Sequence, residues 1–212
     1  MNSLYIRTLD ESDLPIVSTV HQEAFQDSTL TQLGPDIVQK YYYWNLQNSQ
    51  LYYFIGAFDK GELTGFCLSG VFRDSETQFF LDNKIALVKR LLLKPWLLFN
   101  ADVRGKILEG IKKIFKKQKV RQKEIINSQP LEKIGILSIA VSSKYQRMGI
   151  GNELMKHVEK FAIEQGFSYM HLTVHKDNHK AITFYERCGW GKEIAENGDW
   201  QGAMRKSLPL SH

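Results

Sequence analysis

The chain has 212 residues, 43% of them hydrophobic, and a formal net charge of +5. That length and apolar content can bury a full core, so residues 1–212 are read as one domain. Two cysteines, Cys67 and Cys188, exclude a disulfide framework and are expected as buried free thiols in a reducing cytoplasm.

No basic segment followed by an apolar run opens the chain, and no stretch of 18 apolar residues lacks charge. Neither a secretory signal nor a spanning helix is expected. The charge is uneven. Residues 84–123 hold 13 Lys and Arg against Asp102 and Glu109, a net +11, which leaves the rest of the chain at −6.

Tyr5–Leu9 reads as an edge strand. Asp10 or Ser12 can cap a first helix through about Phe25, with Leu14, Val17, Val20 and Ala24 on its apolar stripe. Gln26–Gly34 reads as a polar loop. Pro35-Asp36 opens a second helix to about Leu46, which carries Tyr41, Tyr42, Tyr43 and Trp44. Tyr52–Phe58 and Leu63–Val71 form a hairpin about Asp59-Lys60-Gly61.

Residues 74–130 interrupt this order with helical patterns at about 83–93 and 101–119, broken at Pro95-Trp96. Three readings of this basic insert stand side by side. It is a helical lid with a solvated cationic face, a membrane-surface element drawn to anionic lipid, or a nucleic-acid face. No aromatic-interleaved basic strand or nucleic-acid motif supports the last, so no nucleic acid is expected.

Leu137–Val141 is an apolar strand rich in β-branched residues. A polar turn follows, then Gln146-Arg147-Met148-Gly149-Ile150-Gly151. An amphipathic helix opens there, with Leu154, Val158, Phe161 and Ala162 at helical spacing, and stops near Gly166. Glycines between a strand and a helix let backbone N–H groups approach a ligand. The helix start adds unpaired donors and partial positive charge, which suits phosphate. A simple tight turn would need the same glycines. The stretch is neither a P-loop nor G-x-G-x-x-G, since residue 154 is Leu.

Tyr169–His175 reads as the next strand, with Met170, Leu172 and Val174 on one face and His171, Thr173 and His175 on the other. A helix runs from Asn178 to about Arg187, and two short strands, about 191–195 and 201–207, close the chain about a turn at 196–199.

Gln146-x-x-Gly149-x-Gly151 after a strand resembles the acyl-CoA pyrophosphate loop of the GNAT superfamily of N-acetyltransferases. Asn178 through Trp190 is similar to that family's second motif, N-x-x-A-x-x-[FL]-Y-x-x-x-G-[FW], at the expected distance. The resemblance covers about residues 134–195. It implies an α/β GNAT fold, a mixed central sheet of about seven strands flanked by helices, here with a helical basic insertion between the third and fourth strands. It also implies acetyl-CoA as cofactor, with no metal.

By the same resemblance, the backbone of Ile139, Ala140 and Val141 orients the pantetheine arm. Gln146, Arg147, Met148, Gly149, Ile150, Gly151 and Asn152 cradle the pyrophosphate, and Asn178 and Ala181 support the cofactor arm. Asn178 is equally a helix N-cap. Tyr185 contacts the cofactor and is the general acid that returns a proton to the thiolate; a buried aromatic staple is its plainer reading.

The general base stays open. Family members often carry a Glu on the strand before the loop, where this chain has Ile134–Ser138 and only Glu132 nearby. His175, His171, Glu132 and a water relay are the alternatives. Ser143 stands where a proline is common, with no expected effect on the cofactor. The acceptor is expected between the 26–34 loop, the Tyr41–Trp44 aromatics and the insert, and a small-molecule primary amine such as an amino sugar is the candidate. The rival readings are a non-catalytic acyl-CoA-binding regulatory module and a peripheral membrane protein acting through the insert. Monomer and homodimer are both open.

Overall fold

The computed structural model describes residues 4–47, 52–71, 75–93, 95–99, 104–105, 132–196 and 198–209. Seven strands form one sheet in the order β1-β2-β3-β4-β5-β7-β6. They are β1 (Tyr5–Thr8), β2 (Tyr52–Asp59), β3 (Glu62–Gly70), β4 (Lys133–Val141), β5 (Tyr169–Thr173), β6 (Gly191–Ile194) and β7 (Trp200–Ser207). Every neighbouring pair is antiparallel except β4 and β5.

Helix α1 (Leu14–Ala24) follows a 3-10 turn at Glu11–Asp13. Asp10 caps that turn, accepting from Ser12 N at 2.8 Å, while the Asp13 carboxylate accepts from Asp10 N at 3.0 Å. Arg7 holds Asp13 at 2.7 Å and, by that hydrogen bond, keeps its carboxyl below the usual range.

Residues 26–34 are not wholly a loop. Ser28 accepts from Thr31 N at 3.1 Å and starts a short helix, α2 (Thr29–Leu33), which buries Leu30 and Leu33. Five residues are too few to show helical periodicity, and the cap alone was the available sign. Helix α3 (Pro35–Gln47) follows.

In the insert, α4 (Ser75–Asp82) precedes α5 (Lys84–Leu93), and a 3-10 segment covers Pro95–Phe99. The helix at 75–82 was not legible as a separate element. The predicted helix at 101–119 lies outside the described residues apart from 104–105.

Alternation along the central strands sorts the core into two layers. Phe54, Phe66 and Leu68 meet Val17, Val20, Val38 and Tyr42 of α1 and α3. Ile55, Cys67, Ile134 and Met170 face the other way. They meet Leu154 and Val158 of α6 (Ile150–Glu164), and Ile182 of α7 (His179–Arg187).

The pairing of β4 decides where a cleft can form. Its parallel partnership with β5 covers only Lys133↔Tyr169 to Gly135↔His171. Its antiparallel partnership with β3 continues to Gly65↔Val141. A register shift opposite Leu68 and Ser69 leaves Leu137 as an extra residue, and such a bulge bends and twists its strand. From Ile136 onward the β5-facing edge of β4 has no strand partner among the described residues.

Candidate functional site

The unpaired edge of β4 runs through Ile139, Ala140 and Val141 into the glycine turn. Extended backbone without a neighbour offers N–H and C=O groups to an elongated ligand, as an added strand would use them. Gln146 Nε2 donates to the Val141 carbonyl at 3.3 Å and anchors the turn on the strand end.

Arg147 has φ of 65° and Gly149 φ of 84°. The left-handed conformation at Arg147 costs roughly 1–2 kcal/mol for a residue with a Cβ. A Cβ at Gly149 would meet nothing within 4 Å. The first bond of α6 is Glu153 N to Gly149 O at 3.1 Å, and no side chain caps the helix. The N–H groups of Ile150, Gly151 and Asn152 therefore sit at an uncapped helix start beside open space. Met148 and its neighbours Gln146, Arg147 and Asn152 are exposed around them. This cradle fits a diphosphate.

The two glycines have separate roles. A Cβ at Gly151 would sit 3.3 Å from Phe184 Cζ. Gly151 therefore lets α6 close onto α7, while Gly149 keeps the cradle open.

Asn178 Oδ1 accepts from Ala181 N at 3.1 Å, so the helix-cap reading of Asn178 holds. Its Nδ2 makes no hydrogen bond among the described residues. Tyr185, two turns along α7, packs against the second core layer, as Ile139 and Val141 also do, with the rings of Phe184 and Trp190 beside it. Burial, with the Cys67 and Cys188 thiols near it, pushes the phenol up from its ordinary value. Its hydroxyl has no hydrogen-bond partner among the described residues and is protonated at neutral pH.

The three residues considered as the base separate in space. Glu132 precedes β4 at the end remote from the cradle, where its carbonyl accepts from Ser168 and Tyr169 N. His171 pairs opposite Gly135, at the last rung before the strands part. His175 lies past the end of β5, exposed and 3.6 Å from Asp177. Cys188 is half-buried rather than buried and donates to Asn152 Oδ1 at 3.7 Å; Cys67 is buried.

A hydrogen-bonded chain also reaches β4 from the helical side. Ser138 Oγ lies 3.1 Å from Tyr42 Oη, Tyr42 Oη 2.7 Å from His21 Nδ1, and His21 Nε2 3.3 Å from Ser28 Oγ. Sequence reading missed it because its members stand 21 and 96 positions apart; the signal was a His and a Tyr on the apolar stripes of two helices. It also moves Tyr41 and Tyr42 from the expected acceptor wall into the core, where they are 4% and 0% exposed.

Burial lowers the His21 pKa from 6.5 to about 4. As pH falls, the unfolded chain takes up this proton first, so stability is lost from about pH 6.5 down to about pH 4, by about 3 kcal/mol in all. Urea unfolding of wild type and His21→Gln across that interval is expected to show the extra acid sensitivity in the wild type alone. Parallel pH profiles would refute it.

The parting of β4 from β5 lies beside an uncapped, glycine-opened helix start and leaves a cleft at the end of the sheet. The acetyltransferase (GNAT) family model matches residues 110–190. A Drosophila melanogaster protein named "Probable N-acetyltransferase san" is 33% identical over 67 residues, which are 31% of this chain and 36% of that relative. The match thus spans about a third of the curated relative's length.

Among solved structures, the paia N-acetyltransferase of Thermoplasma acidophilum, in complex with coenzyme A, superposes with a TM-score of 0.58. It is 20% identical, with 97% of this chain and 99% of that one covered. The ribosomal-protein-S18-alanine N-acetyltransferase of Escherichia coli gives 0.54 at 17% identity, covering 99% and 95%. These likenesses establish the fold. The likeness to the GNAT acetyltransferase family lies in residues 110–190.

Proposed function

We propose that this protein transfers an acetyl group from acetyl-CoA to a primary amine of a small molecule, by direct attack within a ternary complex. The observation that carries this reading is the coincidence of three features: the unpartnered edge of β4, the open cradle at Gly149 and the unbonded Tyr185 hydroxyl. The paia protein was solved with coenzyme A, and yncA of Salmonella typhimurium with acetyl-CoA.

Bound acetyl-CoA would supply an activated thioester. The N–H groups of Ile150, Gly151 and Asn152 would hold its diphosphate, each charge-assisted bond contributing roughly 1.5–3 kcal/mol. The Ile139–Val141 edge would align the arm, with Asn178 Nδ2 beside it. Tyr185 would deliver its phenolic proton to the departing sulfur. The amine's proton would leave through water or through one of the polar groups that line the fork. Neither cysteine lies on the loop motif, so no covalent enzyme species is required.

An amino sugar is the acceptor class to test first. The test is thiol release from acetyl-CoA across a panel of amino sugars, polyamines and N-terminal peptides. Turnover with at least one primary amine is expected. Coenzyme A binding without thiol release for every amine would reduce the protein to a binding module.

A further inference from the structure

We infer that the outer face of α5 and the Pro95–Phe99 segment seat on an anionic bilayer surface. Helix α5 has two apolar sides. Leu87 and Leu91 pack toward the first core layer. Ile85, Val88 and Leu92 turn the other way and are 69%, 54% and 77% exposed. At 100° per residue these three fall within an arc of about 60°, and Lys84 and Lys89 flank it, each about 40° from an edge. Leu93, Trp96 and Phe99 continue the patch beyond the helix. Six of the eleven exposed large hydrophobic side chains among the described residues thus lie between positions 85 and 99. Apolar surface concentrated in this way marks an interaction site.

Charge selects the partner. Lys40, Lys84 and Lys89 border a cleft of about 460 Å³ between α3 and α5, and none makes an ion pair among the described residues. The acids of the same cleft have partners of their own: Asp36 pairs with Arg90, and Asp82 accepts from Trp44 Nε1 at 3.1 Å. The surrounding sequence, 84–123, carries +11 while the rest of the chain carries −6. A second copy docked on this face would set lysine against lysine. An anionic bilayer meets both features: the apolar arc enters the boundary between headgroups and acyl chains, and the flanking lysine stems reach back to the phosphates. Trp and Phe are the side chains that favour this boundary.

The experiment is sedimentation of the full chain with phosphatidylcholine vesicles and with vesicles containing phosphatidylglycerol, at low and high salt, while Trp fluorescence is followed. Binding to the anionic vesicles is expected, weakened by salt, with a blue shift that Trp96→Phe removes. Lys84→Gln with Lys89→Gln is expected to lower partitioning about 25-fold, since each basic side chain near such a surface contributes about fivefold. Leu92→Glu with Phe99→Glu is expected to abolish it, with coenzyme A binding as the check that the variant is folded. Equal binding to neutral vesicles, no binding at low salt, or unchanged binding by both double variants would overturn the inference. So would a wild-type dimer that the glutamate variant makes monomeric.

Discussion

Tyr185→Phe is expected to lower kcat by about 10²-fold or more while acetyl-CoA affinity stays within about twofold of wild type. The phenyl ring keeps the packing against Phe184 and Trp190 and the contact with the second core layer. Only the hydroxyl is lost, and among the described residues it has no partner whose loss would unsettle the fold. Burial raises the phenol's pKa, so the wild-type acid is protonated throughout the neutral range and past the ordinary tyrosine value near 10. The wild-type rate is therefore expected to show no alkaline decline traceable to Tyr185 below that value. Thiol-release kinetics with calorimetry of cofactor binding make the test. Equal kcat for both proteins from about pH 6 to about pH 10 would remove Tyr185 from the chemistry.

The second large effect is at the cradle. Gly149→Val is expected to weaken coenzyme A binding by about 100-fold or more. Loss of two charge-assisted N–H bonds at roughly 1.5 kcal/mol each gives that factor. Because a Cβ there meets no atom of the described residues within 4 Å, the valine would project into the space a diphosphate needs. Its φ of 84° also strains any β-branched residue, so a strain control is required. Gly166 supplies one. It has φ of 76°, nothing within 4 Å of a built Cβ, and lies beyond the far end of α6, about 22 Å away at 1.5 Å per residue. Gly166→Val is expected to lower Tm comparably yet bind coenzyme A normally. Normal binding by Gly149→Val in calorimetry would refute the loop assignment.

Local patterns made much of this protein legible before its fold was known. The 3.6-residue apolar spacing of α1 and α6, the alternation in β5, and the turns at Lys60-Gly61 and Gly189 are written within a few residues of one another. So are the glycine turn and the Asn178–Tyr185 helix, because a cradle and a two-turn helical spacing are short-range properties. α2 and α4 were missed because each is too short for its period to show.

Other features belong to the tertiary structure alone. The point where β4 leaves β5 depends on a bulge at Leu137 and on how far each strand is matched by its neighbour, and a single strand's sequence does not carry its register. The separate roles of Gly149 and Gly151 emerge only when Phe184, 33 positions later in the chain, comes to rest against the second of them. The Ser138–Tyr42–His21 chain and the outward turn of Ile85, Val88 and Leu92 share that origin. Composition states which side chains are present, but which of them are buried, paired or left facing solvent is decided by packing between segments distant in sequence.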